Sequence, residues 1–133
     1  MSLLAPISIG ELLDKLSILE IKAAAIGDPA RRANVLREFA ALEAIRRRDV
    51  AARPELDAIY RELHSVNSRL WKIEDDLREH ERRAVFDERF IALARSVYRE
   101  NDRRAALKRR INELSGSEIV EEKSYPQYDR PGS

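Results

Sequence analysis

Leu56, Ile59, Leu63, Val66, Leu70, Ile73 and Leu77, then His80 and Ala84, follow one another at strictly alternating spacings of three and four residues. No other pattern in the chain constrains it as much. It requires a helix of about 28 residues, roughly 42 Å long at 1.5 Å per residue, supercoiled left-handedly against a partner. The partner comes next in the sequence. Val85-Phe86-Asp87 is a short connector with Asp87 as an N-cap. Phe90, Ala94, Val97, Asn101, Ala105, Lys108 and Ile111 then recur at spacings of three or four, without strict alternation, up to Ser115-Gly116. So short a connector folds the two helices into an antiparallel hairpin.

Two shorter helices precede the hairpin. Ser8-Ile9-Gly10-Glu11 has the form of a capping box, with Ile7 and Leu12 placed as a hydrophobic staple. Ile9, Leu12, Leu16, Leu19, Ala23 and Ile26 make one stripe, and Leu13, Ile18 and Ile21 fall outside it. A helix apolar around so much of its girth is buried on more than one side. Its extra face is expected to meet either the C-terminal arm or a second copy of the chain. Gly27 is expected to close it as a left-handed cap. Asp28-Pro29 restarts the chain as N-cap and first helical residue. The second helix carries Phe39, Leu42 and Ile45 and ends in Arg46-Arg47-Arg48, basic charge suited to the negative end of a helix dipole. Arg53-Pro54 marks the break before the long helix. The expected helices are thus about 9–26, 29–50, 55–83 and 88–114. After them an extended arm, 117–133, has a first half that packs on the helices and an end that frays. The fold class is all-α: a four-helix bundle in one domain, built on a long antiparallel hairpin.

Composition narrows the chemistry. The chain has 133 residues, 44% apolar and 37% charged, with 25 basic and 24 acidic side chains. A net charge of +1 gives no long-range field to hold a polyanion. Arg103-Arg104 and Lys108-Arg109-Arg110 are interspersed with Glu100, Asp102 and Glu113 and with no aromatic residues, which argues against nucleic acid. There is no cysteine, hence no disulfide and no thiolate metal site. The two histidines, His64 and His80, follow Arg61 and Leu77 by three residues, so the Glu-x-x-His pairs of a di-iron bundle are missing. Glycine-rich phosphate loops and the nucleophile elbow are absent. No run of 18 apolar residues and no leader-like N-terminus occurs, so the expected setting is cytoplasmic, away from membranes. No metal, cofactor or catalytic residue is assigned, and the balance leans away from an enzyme.

One feature exceeds what a coiled coil needs. Beside the leucine seam, rotated by about one residue, run Tyr60, His64, Asn67, Trp71, Glu74 and Arg78. With the connector centred near residue 85, position i of the hairpin faces position 171 − i or so. Asn67 then lies near Asn101 and Arg104, and His64 near Lys108. Two readings stand beside the plain one of a solvent-exposed stripe or a protein interface. In the favoured one Asn67 and Asn101 fix the register of the helices, with Trp71 a wide core anchor. In the other, Asn67, Trp71 and Glu74 with Asn101, Arg104 and Lys108 line a polar pocket for an anionic ligand.

Three stretches, PISIGELLDKLSILEIK (6–22), VNSRLWKIEDD (66–76) and NDRRAALKRRINELSGSEIVEEKSYP (101–126), together resemble a family of small bacterial proteins known only as a domain of unknown function. The resemblance runs over nearly the whole chain. It implies a bacterial origin and a compact single domain, and it brings no activity, cofactor or catalytic residue with it. The functional expectation is a helical interaction or scaffold protein that self-associates as a homodimer or higher homo-oligomer and takes a further protein partner. The hairpin is longer than the first two helices can cover. The alternative is a protein or enzyme that binds a small anionic molecule between the third and fourth helices.

Overall fold

In a computed structural model, residues 1–128 are described. They form α1 (Ile9–Ala25), α2 (Pro29–Asp49), α3 (Pro54–Arg83) and α4 (Glu88–Ser115), with no strand among them. The all-α, four-helix reading holds, and each helix ends within a residue of its expected bounds. Local chemistry sets those ends. Ser8 Oγ accepts from the Glu11 N–H at 2.9 Å, Asp28 Oδ2 from the Arg31 N–H at 2.9 Å, and Asp87 Oδ1 from the Phe90 N–H at 3.0 Å. Pro29 and Pro54 open α2 and α3, where a missing N–H costs nothing. Only half of the expected capping box forms, because the Glu11 carboxylate turns to Lys108 and Lys15. Ile7 remains exposed.

Two helix ends differ from expectation. Gly27 is not a left-handed cap. The Ile26 N–H completes a last bond to the Lys22 carbonyl, and the chain leaves extended through Ile26 (φ −82°, ψ 120°). Asp28, held extended before Pro29, needs no reversal there. The left-handed residue is instead Ala84 (φ 55°), which was expected to continue the seam of α3. Its N–H reaches the Glu81 carbonyl at 3.0 Å while the Val85 N–H reaches that of His80 at 2.9 Å. This closure satisfies two helix-end carbonyls and turns the chain inside three residues, at about 1–2 kcal/mol for a residue with a Cβ.

The core is asymmetric. Leu12, Leu13 and Leu16 of α1, Leu56, Ile59, Leu63 and Val66 of α3, and Leu107 and Ile111 of α4 make one buried cluster. Each leucine so buried contributes about 2 kcal/mol relative to exposure. No side chain of α2 is fully buried; Phe39, Leu42 and Ile45 lean on the cluster from outside. α1 touches all three other helices, whereas α2 approaches only α1. This arrangement corrects the expectation for α1. Leu13 is covered within the chain, beside Phe39 of α2, and Ile18 and Ile21 line a cleft with Leu70 and Trp71. Within the chain it is α2, not the arm, that covers Leu13.

The hairpin is buried over only part of its length. Fully buried residues stop at Asn67 on α3 and resume at Glu100 on α4, with none from 68 to 99. Thirty residues of α3 span about 45 Å, and the 17 of α1 about 26 Å. Beyond Gly116, in a left-handed turn (φ 69°), the arm runs back along α4. Lys123 pairs with Asp102, Glu122 with Arg109, and Tyr128 lies 6.5 Å from Tyr98 between ring centroids. The expected fraying of the arm's end falls on 129–133, outside the described residues.

Candidate functional site: an oriented arginine beneath a polar cleft

At the centre of the molecule lies a polar network that the leucine seam would not suggest. Asp14 and Ser17 of α1 are fully buried, and Asn67 of α3 is 5% exposed. The Asn67 amide donates to Asp14 Oδ1 at 2.9 Å and to Ser17 Oγ at 2.7 Å. The Ser17 hydroxyl donates to the Asp14 carbonyl at 2.9 Å. Arg104 of α4 meets the same carboxylate through Nε, 2.9 Å from Oδ1, and also through Nη2. No buried side-chain polar atom among the described residues lacks a partner. A buried charge survives only when paired and hydrogen-bonded, and here both conditions are met. The Arg104 guanidinium is held above its ordinary value chiefly by its hydrogen bond to Asp14, against burial, so the cation is permanent.

Above this network opens a cleft. Ile18, Ile21 and Leu70 form its apolar side; Asn67, Trp71, Glu74, Asp75, Arg78, Asn101 and Arg104 supply polar groups, and Arg31 reaches in from the first turn of α2. Five of the six residues singled out from sequence therefore meet at one level. Their partners differ from expectation. Asn67 does not bond to Asn101; it is spent on α1, and Asn101 stays exposed on the cleft's edge. Lys108 stands apart, with its ammonium on Glu11 at the other end of α1. His64 lies 3.5 Å from Glu20 rather than beside Lys108. One geometric reason covers all three. A stripe rotated off a two-helix seam faces the groove into which a third helix packs, so α1, not α4, meets it.

The residues missed from sequence are thus on α1. Gly10, Asp14, Ser17 and Ile21 recur at spacings of four, three and four. An acid and a serine on one line of an otherwise apolar helix are the signal that would have found them.

A second polar constellation ties the ends of the chain together. Asn112 is buried; its Oδ1 accepts from the Gly10 N–H at 2.7 Å and its Nδ2 donates to Glu121 Oε2 at 3.0 Å. Ser8 Oγ donates to the other oxygen of Glu121, and Ser117 Oγ accepts from the Ile9 N–H at 3.2 Å. The amides at the start of α1 are thus satisfied by side chains from the far end of the sequence. Burial disfavours the Glu121 charge, but hydrogen bonds from Ser8 and Asn112 and the nearby Lys108 outweigh it and hold the carboxyl below its ordinary value. A carboxylate depressed in the folded state stabilises above its unfolded value, and the contribution is lost as pH falls through the folded one. The arm is therefore expected to stay docked at neutral pH and to loosen only below the usual glutamate range. Backbone amide NMR signals of residues 117–122 should titrate there. They should appear already shifted at pH 7 in Glu121→Gln, and an acid transition surviving in that variant would assign the latch elsewhere.

Between α1, α2 and the start of α3 lies a cavity of about 240 Å³. Leu13, Leu16, Phe39 and Leu56 line it with Glu20, Glu43, Arg46 and Tyr60. Burial, and then Glu20, push the Tyr60 phenol up, so it stays a neutral donor. Glu43 is held low, first by its hydrogen bond to Arg46. These polar groups are paired within the chain. Among the described residues no cluster of three or more histidine, aspartate or glutamate side chains is placed to hold a metal ion. Among the described residues no helix is long and apolar enough to cross a membrane.

Fold and cleft together define a small all-α protein in which a projecting hairpin rises from a base keyed by a buried ion pair. The chain belongs to the Family of unknown function (DUF6165), whose model matches residues 3–131. No curated protein and no solved structure matches it.

Proposed function

We propose that the protein is a helical interaction module that self-associates through the distal half of its hairpin. One observation carries this reading: the seam of α3 and α4, apolar over most of its distal half, has no fully buried residue from 68 to 99. At its tip Phe86 and Ile91 are each 55% exposed and Val85 is exposed as well, and the Phe86 ring meets Phe90 edge-on at 5.2 Å between centroids. Isolated exposed apolar residues are ordinary, but a patch of aromatic and branched side chains on a projecting arm is the composition of an interface core.

The occupant that fits is a second copy of the chain. From Arg78 to Ser96 the hairpin carries five arginines against four carboxylates, interspersed along both helices. A surface of mixed sign complements itself across a two-fold axis, and a net charge of +1 gives copies no mutual repulsion. A stable pair needs about 800 Å² from each partner, which two hairpins laid side by side can supply. The bacterial, cytoplasmic setting expected from the sequence remains part of this proposal.

Light scattering on the eluting protein at micromolar concentration tests it. The expected mass is twice that of the chain, or a higher multiple. Phe86→Glu combined with Ile91→Glu should give the monomer mass with unchanged helical circular dichroism. A wild-type protein that elutes as a monomer at that concentration overturns the proposal.

A further inference from the structure

We infer that the cleft above Asp14 is a binding site for a small anion, a carboxylate or a phosphate monoester, carrying a planar apolar group. The argument starts from how Arg104 is held. Asp14, fully buried, takes its Nε and Nη2, and Asn67 and Ser17 fix Asp14 in turn. Nη1 has no acceptor among the described residues, and the side chain is 31% exposed where it lines the cleft. A guanidinium gripped on one edge by a buried carboxylate has its other edge fixed in direction before any ligand arrives. The same economy orients metal-ligating histidines through their outer partners. Pairing the buried Asp14 charge occupies one edge of the guanidinium; the other edge, facing the cleft, is left over for a ligand.

The rest of the cleft is consistent with such a ligand. Arg31 adds a second cation from α2, a helix with no fully buried side chain. Asn101 offers an amide one turn before Arg104. Trp71, half-buried, stands with Ile18, Ile21 and Leu70 as an apolar wall against which a flat group stacks. Glu74, Asp75 and Arg78 lie on the rim, with Glu74 and Arg78 3.8 Å apart, and Glu74 and Asp75 set the edge that a ligand's anion avoids. The anion is thus directed to the Arg104–Arg31 side and the planar group to Trp71.

Trp71 is the only tryptophan of the chain and reports directly on the cleft. Its fluorescence should change saturably with phenyl phosphate, with phenylacetate or with both, and which of them binds distinguishes the phosphate from the carboxylate ligand. Benzylamine, of the same shape and opposite charge, should give no saturable change. Arg31→Ala with Asn101→Ala, both exposed positions, should leave the thermal midpoint in place and weaken binding about ten-fold, the size of one lost charge-assisted contact. Arg104→Lys keeps the charge beside Asp14 but loses the planar fork, and should weaken binding at least as much. No saturable change with either anion at 10 mM or so, a far higher concentration than a built site needs, overturns the inference. So does benzylamine binding as tightly as the anions, or undiminished binding in the Arg31→Ala/Asn101→Ala protein.

Discussion

Arg104→Ala is expected to lower the unfolding free energy by about 4 kcal/mol, and Asp14→Ala by about 3 kcal/mol. The inequality follows from where each charge is left. Without Arg104, the Asp14 carboxylate remains fully buried, with the Asn67 amide as its side-chain donor. Without Asp14, the Arg104 guanidinium is already 31% exposed and turns to water. The Asn67 amide then keeps only Ser17 and faces the space of the deleted side chain. Chemical denaturation of the two variants measures both numbers. Replacing Asp14, Asn67 and Arg104 together by leucine or methionine should recover most of the loss, because apolar groups of similar volume carry no desolvation cost. If Asp14→Ala proves as stable as wild type, the network contributes no stability to the fold.

Gly10→Ala is expected to destabilise by about 2 kcal/mol, opposite in sign to the rule for a glycine inside a helix. That rule favours alanine by about 1 kcal/mol. Here a Cβ would stand 2.6 Å from the Lys108 carbonyl oxygen and 2.9 Å from Asn112 Oδ1. The first is backbone, and the second is the acceptor of the Gly10 N–H itself. Neither yields without separating the start of α1 from α4. Overpacking of this kind costs about 1–3 kcal/mol beyond the helical gain it offsets. A fall in thermal midpoint of about 6 °C is expected for a chain of this size. Gly27→Ala is the control: nothing lies within 4 Å of its Cβ and its backbone is not left-handed, so its midpoint should hold or rise slightly. Equal behaviour of the two variants would mean that α1 and α4 are not in close contact at Gly10.

The residue-level picture shows which parts of this architecture are local. Ser8, Asp28 and Asp87 cap their helices through bonds spanning three residues. The alternation from Leu56 to Leu77 needs only the helical period to define a seam. Asn67, Trp71, Glu74, Asn101 and Arg104 share one level because an antiparallel hairpin fixes the height of each residue once its connector is found. Other features were not legible. Gly27 has the residue type for a left-handed turn and Ala84 a place on the seam, yet the left-handed residue is Ala84, where the Ala84 and Val85 N–H groups close the last turn of α3. Lys108 shares a helix face with Arg104 but belongs to the base, where Glu11 claims it.

From the sequence alone came the four helices, the N-caps Ser8, Asp28 and Asp87 and the pairing of α3 with α4, since each depends on residues close in the chain or on one repeated period. Only the tertiary structure decided that α1 lies in the groove beside that pair, with α2 on its flank. It is this placement that sets Asp14 beneath Arg104 and Glu121 at the start of α1, contacts separated by 90 and 113 residues. A stripe of polar side chains has a direction along the helix that bears it, but its partner is chosen by whichever surface reaches that groove in three dimensions.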